Sequence, residues 1–310
     1  MNTLILFAEH FLVPGAFLIW QWRKAYRSKF DGWLMIFLVG VYIARLYFVG
    51  DWHLYGIYWR TVYAGLALLV SIKTLFDIRE LPWWVKRHPR ETFGIGLVSF
   101  LGLLFLAIVI WAYWGRSYSG EAFDTGFPFK QGRYYVIEGG DSPVINEYHR
   151  FPPVPEKYSL ALVKLNAAGK RAAGIFPDRL EDYEIYGDRV YSPADAVVLA
   201  VRDSIADTLH PDARAQTEDY QGNYIILARD AYQIRLAGLQ SGSVAVAVGD
   251  TVAAGRFLAR VGMSGMVSEP QLYIQVTRPR RQVDFPWERE GVPVLLGGRF
   301  WVKNDLIALP

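Results

Sequence analysis

The chain has no cysteine among its 310 residues, which excludes disulfides and every thiolate metal site. Histidine is scarce, with five in total, and after the apolar N-terminal third only His149 and His210 remain. Charge of one sign is also lacking: 33 Lys and Arg stand against 30 Asp and Glu, a net charge of +3 that gives no case for nucleic acid. No internal repeat, Gly-rich phosphate loop or nucleophile elbow occurs. Gly262-Met-Ser-Gly265 has the look of a serine elbow but not its spacing, and it reads as a β-turn. No cofactor is implied.

Apolar residues are abundant. The chain is 52% hydrophobic and 15% aromatic with a positive mean hydropathy, too apolar for an ordinary soluble protein. Four stretches of spanning length lie at about Thr3–Trp22, Gly32–Val49, Leu54–Phe76 and Phe93–Trp114. A helix needs roughly 20 apolar residues to cross a bilayer core. The first stretch carries Glu9 and His10 and is followed by a basic cluster, which argues against a signal peptide. Trp20, Trp22, Trp33, Trp52, Trp59, Trp83, Trp84, Trp111, Tyr113 and Trp114 sit near the ends and fit interfacial belts.

Arg23, Lys24, Arg27 and Lys29 follow the first span, and Arg79, Lys86, Arg87 and Arg90 follow the third. The link Gly50–His53 holds Asp51 and no basic residue. The positive-inside rule then predicts both basic loops in the cytoplasm, with the N-terminus and everything after Trp114 outside. The expected location is a bacterial inner (cytoplasmic) membrane, multi-pass, with a periplasmic or extracytoplasmic C-terminal domain. Glu9, Arg45 and Arg60 lie at similar depth near the outer end of their spans. Two readings stay open: an ion pair of Glu9 with Arg45 or Arg60, or snorkelling to the interface. His10 either packs among aromatics or ligates a haem or pigment.

The domain layout expected is a four-helix transmembrane domain over 1–115, a linker with a first strand over 116–156, and an all-β domain over 157–310. Tyr134–Glu138 reads as the first strand, and Phe151-Pro-Pro-Val-Pro155 as a break or stiff arm. Lys157–Val163 and Asp188–Ala200 read as strands, Leu180–Glu184 as a short helical turn, and Arg202–Gln221 as a long polar loop. Val244, Val246 and Val248 alternate with small residues, the period of a half-buried strand ending at Gly249-Asp250. Leu272, Ile274 and Val276 share one face of a last strand, and Gln271, Tyr273 and Gln275 the other. Arg278-Pro-Arg-Arg281 with Arg299 reads as a basic patch, either a solvated face or a docking surface for an acidic partner.

Several of these segments, in order, resemble the lysostaphin-type (LytM-like, Gly-Gly endopeptidase) zinc endopeptidases of bacterial cell walls. They are Asp188-Arg-Val-Tyr-Ser-Pro-Ala-Asp195, Gly222-Asn-Tyr-Ile-Ile-Leu227, Ala237-Gly-Leu-Gln-Ser-Gly-Ser-Val244, Val248-Gly-Asp-Thr-Val252, Val261-Gly-Met-Ser-Gly265 and Pro270-Gln-Leu-Tyr-Ile-Gln-Val276. The resemblance implies an all-β peptidase-like fold. In that family one zinc is held by two histidines and an aspartate, with two further histidines assisting, and peptidoglycan peptides are cleaved. Carried over residue by residue, those positions fall on Lys157, Ala161, Gly238, Gln271 and Tyr273. Lysine, alanine and glycine supply no ligand at neutral pH, and glutamine is a poor one. The resemblance therefore implies a degenerate domain that lacks the metal ligands, with neither catalytic nor metal residues. A displaced zinc site needs His149, His210 and a carboxylate to converge.

Three functions follow. One is a non-catalytic subunit or assembly factor of a larger membrane complex, respiratory or photosynthetic for example, with other membrane subunits and the lipid bilayer as partners. Another is a regulator of cell-wall hydrolases, with an amidase or peptidoglycan as partner. The third is a peptidase with a displaced metal.

Overall fold

The structure is a computed structural model that describes residues 3–150, 156–209, 222–265, 267–279 and 289–310. Phe151–Pro155, His210 and most of the polar loop before Gly222, and Arg280 and Arg281 of the basic patch lie outside the described residues. The chain divides into two compact units. One comprises Met1–Trp52 with Ile57–Tyr113, the other His53–Gly56 with Trp114–Pro310.

Four helices in the first unit are long and apolar enough to cross a membrane: Leu4–Arg23, Lys29–Val49, Tyr58–Ile78 and Pro89–Trp114. The second starts where Ser28 Oγ accepts the Asp31 amide at 3.2 Å, an N-cap that the sequence Ser-Lys-Phe-Asp supplies. The third starts at Tyr58 rather than Leu54, because Gly56 adopts φ +114, outside the helical region. The first helix contains a π-helical turn, Ala8–Leu12, which carries Glu9 and His10.

Glu9 Oε1 lies 2.6 Å from Arg45 Nη1, whereas the Arg60 guanidinium sits over the Tyr47 ring at 5.0 Å. His10 is buried and uses both ring nitrogens within the protein. Nδ1 donates to the Leu6 carbonyl at 2.9 Å, and Nε2 accepts the Asp51 amide at 3.0 Å. A haem or pigment would have to displace one of these bonds. The fourth helix is apolar on all sides and largely exposed, the pattern of a span covered by lipid.

The second unit is all-β. Its strands are β1 (Phe123–Thr125), β2 (Gly132–Glu138), β3 (Leu160–Lys164), β4 (Arg189–Tyr191), β5 (Ala196–Arg202), β6 (Tyr224–Arg229) and β7 (Tyr232–Ala237). They continue as β8 (Thr251–Val252), β9 (Phe257–Arg260), β10 (Leu272–Pro279), β11 (Arg289–Gly291), β12 (Val294–Leu296), β13 (Arg299–Phe300) and β14 (Leu306–Leu309). A nine-stranded sheet runs β14-β2-β3-β10-β7-β6-β5-β8, with β11 added on β10, and all its pairings are antiparallel. Leu272, Ile274 and Val276 of β10 join Leu160, Leu162, Ile225, Leu227, Ile234 and Leu236 in one core. The C-terminal Leu306–Leu309 packs back on the domain as β14 against β2.

Residues from Trp114 onward group with the β unit, in which β2 is an interior strand between β14 and β3. Two strand readings differ from the structure. Asp188–Ala200 splits into β4 and β5, because Pro193 has no amide proton for a ladder. Val244–Val248 forms no strand. Its alternate amides go elsewhere, Ala245 to the Leu258 carbonyl at 2.8 Å and Ala247 to the Asp250 carboxylate at 2.9 Å. The described arginines of the basic patch meet carboxylates: Arg278 pairs with Glu121 and Glu290, and Arg299 with Asp305.

Candidate functional site

Strands β3, β10 and β7 lie side by side, and their register sets Ala161, Tyr273 and Ala237 in one cross-strand row. Residues in such a row share a face. Gly238 follows Ala237 at φ +79, and a Cβ built there would stand 2.4 Å from the Gln271 carbonyl oxygen. Fold register therefore brings together four of the five positions the family resemblance singles out. Lys157 precedes β3 by one turn.

The polar side chains of this set already have partners. Tyr273 Oη and Ser159 Oγ are hydrogen-bonded at 2.7 Å. The Tyr273 ring meets the Tyr148 ring edge-on, with centroids 5.1 Å apart. Gln271 is buried and its Nε2 donates to Tyr148 Oη at 3.4 Å. Burial first, and then the Tyr273 and Glu147 oxygens, push the Tyr148 phenol well above the ordinary tyrosine range. The network is neutral, so it offers hydroxyls and an amide but no phenolate.

Lys157 Nζ lies 2.9 Å from Asp141 Oδ1. Burial alone would lower its pKa, but Asp141 outweighs that and raises it, so the ammonium stays charged. Asp141 also meets His149 Nε2 at 3.0 Å and accepts the Tyr158 hydroxyl at 3.2 Å.

A catalytic zinc takes three ligands from His, Cys and carboxylate. At the carried-over positions stand an ammonium, a methyl, a bare backbone, an amide and a phenol. These residues do not fit the metal, and no step is derived through it. Among the described residues, no group of three or more His, Cys, Asp or Glu is arranged to hold a metal ion. His149 is committed to Asp141, and His210 lies outside the described residues.

The β unit also holds a buried charged cluster with no counterpart in the sequence reading. Glu269 Oε1 lies 3.2 Å from His53 Nε2, and Glu269 Oε2 accepts Arg171 Nε. The Arg171 amide donates to the His53 carbonyl at 3.1 Å. All three side chains are more than nine-tenths buried. Burial pushes the Glu269 carboxyl up, but the charges of His53 and Arg171 outweigh it and hold the group below the ordinary carboxylate value. Tyr148, Ser159 and Asp141 are likewise absent from the sequence reading. The only signal for Tyr148 is its place in Glu147-Tyr-His-Arg150, just before the proline run.

Four helices long and apolar enough to cross a membrane, followed by an antiparallel β domain built around a β3–β10–β7 row, define the class. Residues 182–285 match Peptidase family M23, and the chain carries an M23 domain there. That range includes Gly238, Gln271 and Tyr273 and excludes Lys157 and Ala161. No curated protein matches the chain.

Among solved structures, a zinc containing peptidase from Vibrio cholerae is 22% identical at TM-score 0.30, over 50% of this chain and 36% of that one. The catalytic domain of lysostaphin from Staphylococcus simulans is 13% identical at TM-score 0.27, over 48% of this chain and 80% of that one. The catalytic domain of the prophage-encoded M23 protein EnpA from Enterococcus faecalis is 12% identical at TM-score 0.30, over 51% and 87%. The chain spans only 36% of the length of that Vibrio cholerae peptidase and 44% of the lysostaphin chain in its solution structure.

Proposed function

We propose that this chain is a non-catalytic, membrane-anchored pseudopeptidase whose M23 domain serves as a docking module within a larger membrane assembly, on the extracytoplasmic side of a bacterial inner membrane. The observation that carries this reading is the set of partners at the carried-over ligand positions. Gln271 and Tyr273 are engaged with Tyr148 and Ser159, and Lys157 with Asp141. Four spans also exceed what a tether needs. An apolar surface suits a partner: Val197 and Leu199 face outward on β5 at 41% and 42% exposed, and Val248 is 64% exposed. The Val248 segment adjoins β5 through the Gly249 amide, which donates to the Val198 carbonyl at 2.9 Å.

The test is gentle detergent extraction of the native membrane, size separation, and identification of what travels with the chain. Constant-ratio migration with a large membrane assembly is expected. Migration alone overturns the subunit reading. A second reading, a regulator of cell-wall hydrolases or a peptidoglycan-binding module, is favoured by the M23 match itself. Its mark is migration with a wall amidase or retention of peptidoglycan fragments. An active peptidase with a displaced zinc would require His149, His210 and a carboxylate to converge; His149 Nε2 lies 3.0 Å from Asp141.

A further inference from the structure

Within the helical unit, a cavity of about 390 Å³ is bounded by the end of the first helix, the start of the second and the start of the fourth. Its volume falls in the ~300–1,000 Å³ range of small-ligand sites. Five charged side chains line it: Lys24, Arg27, Arg87, Asp31 and Glu91. Two opposite-charge pairs form among them. Arg27 Nη1 lies 2.5 Å from Glu91 Oε1, and Arg87 Nη2 lies 3.0 Å from Asp31 Oδ1. The Arg87 guanidinium also donates to Ser28 Oγ at 3.1 Å, which ties it to the N-cap of the second helix.

Lys24 is the cation left over. Among the described residues no carboxylate lies within salt-bridge distance of its ammonium, which instead faces the Trp20 and Tyr26 rings at 5.1 and 6.0 Å. Most of the remaining lining is apolar, including Leu34, Met35, Ile95 and Val98. The site therefore combines one surplus positive charge, two arginines with further N–H donors, and an apolar wall at the end of three spans.

We infer that this cavity binds one anionic phospholipid, its phosphodiester against Lys24 and the first part of an acyl chain along Leu34 and Val98. A phosphate diester is monoanionic and matches the single surplus charge. Guanidinium and ammonium groups at a membrane boundary each contribute about 1 kcal/mol toward an acidic headgroup. A soluble anion would leave the apolar wall wet, whereas a lipid covers it. The inference depends on reading the helices as membrane spans and not on the identity of any partner, so a failure of the subunit proposal leaves it standing.

The test uses the full chain, purified in a delipidating neutral detergent and studied by native mass spectrometry with added phosphatidylglycerol, phosphatidylcholine or inorganic phosphate. One phosphatidylglycerol per chain is expected to survive desolvation, in preference to phosphatidylcholine. Lys24→Gln should weaken that retention roughly fivefold, the equivalent of about 1 kcal/mol. Lys24→Arg should preserve it, and thermal melts of both variants report whether the bundle is intact. Equal retention of the two lipids, or equal retention of phosphatidylglycerol by Lys24→Gln and the unaltered chain, overturns the inference. Inorganic phosphate that binds at the same site and displaces the lipid also overturns it, since that result defines a small-anion site.

Discussion

Glu269 shows how one buried charge orders several segments. Its two oxygens meet His53 and Arg171, and Arg171 in turn holds the His53 carbonyl and donates Nη2 to the Ile175 carbonyl at 2.8 Å. Removing one partner of a buried pair leaves an uncompensated charge, which costs about 3–5 kcal/mol. Glu269→Gln is therefore expected to lower the stability of the full chain in detergent by that amount in denaturant titrations, whereas a loss within experimental error would show that the cluster is not coupled to folding. The pH dependence has a definite sign. The folded carboxyl sits below its unfolded value of about 4.3, so its stabilisation is complete above that pH and is lost as pH falls through the folded value. None of this was legible in the sequence, where Glu269 stands beside Pro270, just outside the motif of the last strand. Gly238 is the opposite case, since a family histidine can be assigned to it by motif. The structure adds why a side chain is excluded: φ is +79 and the Gln271 carbonyl is 2.4 Å from any Cβ. Gly238→His should cost at least the ~1–3 kcal/mol of a left-handed non-glycine residue, measured by thermal unfolding. An unchanged melting temperature would mean that β7 and β10 separate there at little cost.

At the level of elements, the helices were the most legible part of the chain. Runs of about 20 apolar residues fix a span whatever the details of packing. The strands with a core face, β3 and β10, were also legible, because Leu160, Leu162, Leu272, Ile274 and Val276 alternate and are all buried. Alternation misled at Val244–Val248, where the period of two is present but only the Ala245 amide reaches β9, at Leu258, and the Ala247 amide goes to the Asp250 side chain, so no ladder continues. Periodicity reports which side chains are apolar and not where the backbone donors go. The depth argument for Glu9, Arg45 and Arg60 selected groups whose geometry distinguishes them: Glu9 meets Arg45 at 2.6 Å, and Arg60 lies over Tyr47. Glu9→Gln is expected to lower the melting temperature of the chain in detergent by the equivalent of about 1 kcal/mol, the scale of polar contacts between membrane helices. Arg60→Gln should have less effect. Equal shifts for the two would show that both arginines act by reaching the interface.

For the whole molecule, the M23 domain and the four apolar helices were both legible, the first from ordered motifs and the second from hydropathy. The use made of the β3–β10–β7 row was not, because Tyr148 and Asp141 enter it from a segment that no motif covers. That segment decides the chemistry. A metallopeptidase row needs open positions around a cation, whereas here phenols, an amide and a serine satisfy one another, and Asp141 neutralises Lys157. Introducing a zinc ion would require breaking those bonds and leaving their donors unpaired in a buried site. The expectation is that the purified chain carries far less than one zinc, and that neither chelator nor added zinc moves its melting temperature. A native zinc present at a hundred times its Kd would contribute about 2.7 kcal/mol, so a bound metal would be readily visible in such a melt. Stoichiometric zinc, or a melting temperature that falls with chelator, would overturn the pseudopeptidase reading and direct attention to His149 and His210. In the absence of either effect, charge on the outward face of β5 becomes the informative perturbation. Val248→Glu alters an exposed side chain and should leave stability within about 0.5 kcal/mol. It should nevertheless release the chain from the assembly with which it migrates, if the surface formed by Val197, Leu199 and Val248 is where that assembly is bound.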